Sequence, residues 1–162
     1  MEYIIDEENG IILDKITRDR CLILTKARMA QILSRFTQIF QSSAQIIITE
    51  AFKSAGERYV TEVVEEKNAN TVQFLRTAAL RFTNAGLGRI EIVQFNEEKG
   101  EFNFRIHNNF FSEITNEDAA YCNCVEAFVA GMYKAFFNKT PNIQETKCKG
   151  KDDPYCEWQL TP

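Results

Sequence analysis

The chemistry this chain advertises rests on its five cysteines: Cys21, Cys122, Cys124, Cys148 and Cys156. The last four fall in roughly the final quarter of the chain. Thiolate sulfur is a good zinc ligand, and a closed tetrahedral site needs four donors. Taking all four late cysteines is the simplest set, but helix geometry opposes it. Cys122 and Cys124 lie in a stretch with helical spacing, where residues two apart point about 200° away from each other. One of the pair then serves as a ligand, and the other as a small buried hydrophobe. The missing fourth donor is naturally a carboxylate. Glu145, just ahead of Cys148, is the candidate.

Little else competes. The only histidine is His107 and the only tryptophan Trp158. No nucleophile sits beside a base, and Gly86-Leu-Gly88 follows a helical pattern rather than a strand, so it is no dinucleotide loop. Enzymatic activity is therefore not the favoured reading. The net charge is −4 and the pI about 5.2. Arg18, Arg20, Lys26 and Arg28 come nearest to a basic footprint and read as a solvated face, so no nucleic-acid partner is expected. The N-terminus is too short and acidic for an export signal, and no apolar run approaches the roughly 20 residues of a membrane span. A cytoplasmic protein with reduced thiols is expected.

These residues must be positioned by a chain of blocks. Residues 2–24 read as short strands, with a turn at Asn9-Gly10. Met29, Ile32, Leu33, Phe36 and Phe40 recur at helical spacing over 26–41. A second helix is predicted over about 43–66, with Ile46, Ile47, Phe52, Tyr59 and Val63 inward and Gly56 as a weak point. Asn70-Thr71 opens a third, which stops at Asn84-Ala-Gly86. Arg89–Phe95 and Glu101–His107 alternate as a hairpin. A fourth helix, apolar nearly all round, is predicted from about Asn116 to Asn138, with Thr115-Asn116-Glu117-Asp118 at its positive end. Residues 142–161 form a second hairpin. Such blocks predict an α+β fold, an antiparallel sheet packed against a helical layer.

The segment Glu145-Thr-Lys-Cys148-Lys-Gly150-Lys-Asp-Asp-Pro-Tyr-Cys156-Glu-Trp resembles the C-terminal signature of the 4-vinyl-reductase, or hydrocarbon-binding, domain family. The preceding Glu126-Ala-Phe-Val-Ala-Gly131-Met-Tyr-Lys-Ala-Phe136 is similar to that family's glycine-bearing helix. The resemblance implies the fold of the TRAPP vesicle-tethering subunits and of phenol-responsive sensor domains. In those sensors a helix Cys, then Glu, Cys and Cys from the final segment hold a zinc. By that likeness Cys122, rather than Cys124, joins Glu145, Cys148 and Cys156 as the metal set. On a regular strand positions 145 and 148 face opposite sides, so Glu145 must precede the strand or sit beside a bulge. The phenol sensors hold their ligand with a His and a Trp ahead of the zinc region. Here His107 and Trp158 stand elsewhere, so phenol specificity is not carried over.

The resulting expectation is one domain over residues 1–162, with N-terminal strands over about 1–24 and the zinc-bearing part over about 116–162. It binds a small apolar molecule, a hydrocarbon or the like, as a sensor. An enclosed cavity between the fourth helix and the 89–107 hairpin is expected, lined by Phe74, Phe82, Phe102, Phe104, Phe128, Gly131 and Met132. Gly131 is expected to leave a shallow place in that wall. Two alternatives stand beside this: an enzyme or accessory of tetrapyrrole-type reduction, from which the family takes its name, and a protein-interaction module like the tethering subunits. The apolar stripe at 26–41 has no evident cover, which predicts a homodimer. Any regulatory output would pass to a separate protein.

Overall fold

The computed structural model describes residues 3–15, 18–63, 70–116 and 119–162. β1 (Tyr3–Asp6) and β2 (Ile11–Asp14) form a hairpin whose turn places Gly10 at φ +63, and β3 (Arg20–Cys21) pairs with β2. Helix α1 (Lys26–Phe40) starts where the Thr25 hydroxyl accepts the Arg28 N–H. A 3-10 turn, Gln41–Ser43, leads into α2 (Ala44–Val63). Asn70 caps α3 (Thr71–Asn84) by accepting the Val72 N–H at 2.8 Å. After α3 the chain turns back at Gly86, φ +78.

β4 (Arg89–Asn96), β5 (Glu101–His107), β8 (Asn142–Lys147) and β9 (Cys156–Thr161) make an antiparallel sheet in the order β4-β5-β9-β8. The two sequence hairpins are thus joined along β5 and β9. Period-two alternation turns Phe102, Phe104 and Ile106 of β5 inward, beside Cys156, Trp158 and Leu160 of β9. Phe104 and Trp158 stand opposite in register and stack, centroids 5.1 Å apart. Buried residues of α4 (Asn123–Phe137), among them Val125, Val129 and Tyr133, join these strands in one hydrophobic core. The architecture is α+β, an antiparallel sheet with a helical layer, as the block pattern predicts.

Two elements depart from the sequence reading. α4 begins at Asn123, not near Asn116; Thr115–Asn116 (β6) and Ala119–Ala120 (β7) pair instead as a short antiparallel ladder. Glu117 and Asp118 of the expected acidic cap lie outside the described residues. On α2 the inward face is Ala44, Ile48, Gly56 and Val60, with Phe52 half-buried, whereas Ile46 is 68% exposed and Ile47 39%. Spacing of four sets that face because α2 crosses α4 at closest approach through glycine. A Cβ on Gly56 would collide with the Phe128 carbonyl oxygen, and one on Gly131 with that of Lys53. Gly56 is therefore a packing contact rather than a weak point.

Candidate metal centre

Cys122 occupies the residue just before α4, Glu145 lies on β8, Cys148 follows that strand, and Cys156 opens β9. Their ligand atoms lie within 4.8 Å of one another. Cys122 Sγ is 3.5 Å from Cys148 Sγ and 3.8 Å from Cys156 Sγ. Thiolates on a tetrahedral zinc, with Zn–S bonds of about 2.3 Å, stand about 3.8 Å apart. Cys124 is fully buried but belongs to no such group among the described residues. With the helix starting at Asn123, Cys122 is set at its mouth and Cys124 inside its first turn.

The parity problem at Glu145 has a local solution. Glu145 pairs with Trp158, but Lys147 pairs with Glu157, so β8 carries an extra residue between them. Opposed residues share a face, which turns Glu145 inward beside Trp158 and Lys147 outward beside Glu157. The chain then bends into a 3-10 turn over Lys149–Lys151. Asp153 holds it by accepting the Cys148 N–H at 2.8 Å, and the Lys149 N–H points at Cys156 Sγ, 3.3 Å away.

The protonation energetics of the four groups conflict. Hydrogen bonding from Cys122, then from Asn109 and the Lys149 N–H, against the opposing pull of burial, brings the Cys156 thiol down to about 5. The same contact with Cys156, with burial, pushes Cys122 far up, and burial raises Cys148 and Glu145. Glu145 Oε1 is buried with no hydrogen-bond partner among the described residues. Such an orphaned buried acceptor calls for an explanation, and a divalent cation between the four groups supplies one, stabilising every one of them in its deprotonated form. The donor set fits zinc. Cys124 lacks such partners, and burial alone pushes its thiol up to about 12.

Sequence reasoning missed Asn109. It is wholly buried between β5 and α4, and its Nδ2 lies 3.4 Å from Cys156 Sγ and 3.7 Å from Cys122 Sγ. A lone amide between two elements has no spacing signal that would single it out.

The expected ligand-contact residues divide. Phe102, Phe104 and Met132 line an apolar cleft between α3, α4 and the β4–β5 hairpin, of only about 40 Å³. That is well short of the roughly 150 Å³ that holds benzene in an engineered cavity. Phe82 and Phe128 line a different cavity of about 220 Å³, bounded also by Tyr3, Tyr59, Leu87 and the Asp14–Arg81 ion pair. Ala78 on α3 borders both. Phe74 is buried against Phe136, ring centroids 4.4 Å apart. Gly131 faces the α2 backbone, so the shallow wall expected there is filled by a helix. His107 ends β5 and its Nε2 lies 2.9 Å from Glu91, while Trp158 is enclosed in the core; neither lines either cavity.

No known family model matches the sequence, and no curated protein matches it either. Solved structures do match in three dimensions. The phenol-responsive sensory domain of the transcription activator PoxR, solved with phenol, superposes with a TM-score of 0.79 at 15% identity, over 99% of this chain and 85% of that one. The chain has that fold. A vinyl-4-reductase family protein from Methanocaldococcus jannaschii matches with a TM-score of 0.54 at 13% identity, over 90% of this chain and 85% of its own. A trafficking protein particle complex subunit 3 from Naegleria fowleri, covalently bound to palmitic acid, matches with 0.54 at 11% identity, over 84% and 93%. The resemblance drawn from the terminal signature and the three-dimensional likeness thus converge on one fold.

Proposed function

We propose that residues 1–162 form one small-molecule-binding sensory domain that carries a structural zinc on Cys122, Glu145, Cys148 and Cys156. The observation that carries the sensory reading is the likeness to the phenol-responsive domain over 99% of the chain. Four protein donors leave no open coordination position, so the metal's role is to hold the last hairpin to the start of α4 rather than to activate water. The cavity of about 220 Å³ among α2, α3, α4 and the N-terminal strands is the ligand site this reading favours. Its aromatic walls suit a small, largely apolar molecule, a hydrocarbon or a close relative. The protein acts in the cytoplasm and signals through a separate protein.

Native mass spectrometry of the purified protein tests this reading. Bound zinc and a small organic ligand are expected together. If a panel of apolar and aromatic compounds neither binds nor shifts the melting temperature, the sensory reading falls.

A second reading, a protein-interaction module, is favoured by one observation. α1 exposes Ile32, Phe36, Ile39 and Phe40, and Leu22 and Ile23 just before it are more exposed still. A symmetric homodimer through this face would cover it. Light scattering at micromolar concentration should give twice the mass of the chain.

A further inference from the structure

Three thiolates and one carboxylate around a dication leave two negative charges uncompensated. A buried centre of that kind needs hydrogen-bond donors aimed at its ligand atoms. The Lys149 main-chain N–H is one, directed at Cys156. The side chain of Asn109 is another, and it reaches two sulfurs, those of Cys156 and Cys122, which come from different segments of the chain. Its orientation is determined by its far end. Asn109 Oδ1 accepts the Phe111 N–H at 3.2 Å, and a backbone N–H there requires an acceptor, so the amino group must face the sulfurs. Its own carbonyl oxygen accepts the Ser112 hydroxyl at 2.7 Å, which holds the backbone as well.

We propose that Asn109 is a positioning residue of the metal centre: its buried amide group bridges the sulfurs of Cys122 and Cys156 by N–H···S hydrogen bonds, offsets their charge and fixes their separation for the metal. This rests on the zinc reading above. The partners that orient metal ligands usually govern affinity, and their loss weakens it by about 10- to 100-fold.

Asn109→Asp keeps the shape and the acceptor for Phe111 but removes the donor; Asn109→Leu removes both polar ends. In chelator competition both should bind zinc about 10- to 100-fold more weakly than the wild type. In cobalt-substituted protein the sulfur-to-metal charge-transfer bands of both should shift. Cys124→Ala, a change at a buried site outside the cluster, should alter neither readout. If the variants do not fold, NMR of cadmium-substituted wild-type protein reads the bond directly, as a scalar coupling between the metal and the Asn109 side-chain amide proton. Unchanged affinity and spectra in both variants, or no coupling to that proton, would overturn the role of Asn109 while leaving the zinc reading intact. A wild-type chain that binds neither zinc nor cobalt would overturn both.

Discussion

The two ends of the chain solve the burial problem in opposite ways. At the C-terminal end, β9 and the start of α4 hide Cys122, Cys156 and Trp158 almost completely, and the two thiols converge on each other and on the Asn109 amide. At the N-terminal end, α1 buries only Leu33 and leaves a stripe of large apolar side chains in the open, with Phe36 and Phe40 stacked 5.6 Å apart. One end is completed from within by donors brought close; the other leaves apolar surface uncovered among the described residues. Stability should therefore depend on metal at one end and on association at the other.

The largest effect should come from the closed end. Cys156→Ser is expected to lose zinc and several kcal/mol of folding free energy, since structural metal binding is folding energy. Elemental analysis and denaturant unfolding check it, and a variant that stays metal-free yet as stable as the wild type would break the contrast. Next comes the scaffold beneath both ends. Gly131→Leu should push α2 off α4 and destabilise by about 3 kcal/mol or more, as overpacking of a tight contact does. Wild-type stability by thermal unfolding would show that α2 yields easily. At the open end, Phe36→Glu with Phe40→Glu should turn a dimer into a monomer in light scattering with little loss of zinc. A monomeric wild type would remove the association side of the comparison.

The smallest effect concerns a tie between the two ends. Lys26 at the start of α1 reaches Glu113, beside the metal-side turn, at 2.9 Å, with both groups half in solvent. Its hydrogen bond holds the Glu113 carboxyl below the ordinary 4.5. A depressed carboxylate contributes stability that is fully present above 4.5 and fades as the pH falls through its lowered value. Screening keeps the contribution under about 0.5 kcal/mol. Lys26→Ala should erase that small acid-side slope in a pH series of unfolding midpoints, and an unchanged slope would mean the ends are uncoupled here.

Much of the fold was legible because its signals are local. Alternation in Phe102, Phe104 and Ile106 gives a strand facing a core, and Asn70 and Gly86 mark the ends of α3. The start of α4 was not legible, since residues 119–120 continue an apolar pattern yet pair as a strand. The inward face of α2 was hidden for a different reason. Hydrophobicity favours Ile46 and Ile47, but the face is chosen by where two glycines let backbones meet, which is a property of the pair of helices. At the centre itself, cysteine spacing alone left Cys122 and Cys124 open, and family likeness was needed to choose. Glu145 could be anticipated together with its need for a bulge, whereas Asn109 could not, because its partners lie on two distant segments. The cavity was the least legible feature: Phe82 and Phe128 border the large space, while Phe102 and Phe104 border the small one.

The extra residue in β8 has an effect beyond turning Glu145 inward. β8 is an outer strand of the sheet, with β9 on one side and no strand on the other among the described residues. A straight, regular edge there would offer its free backbone groups to a strand from another molecule, the usual first step towards fibrous aggregation. The kink between Glu145 and Lys147, with the Lys149–Lys151 turn close behind it, interrupts that template, and Lys147 adds a positive charge on the outer face. The irregularity that lets a carboxylate join three thiols also guards the sheet against strangers.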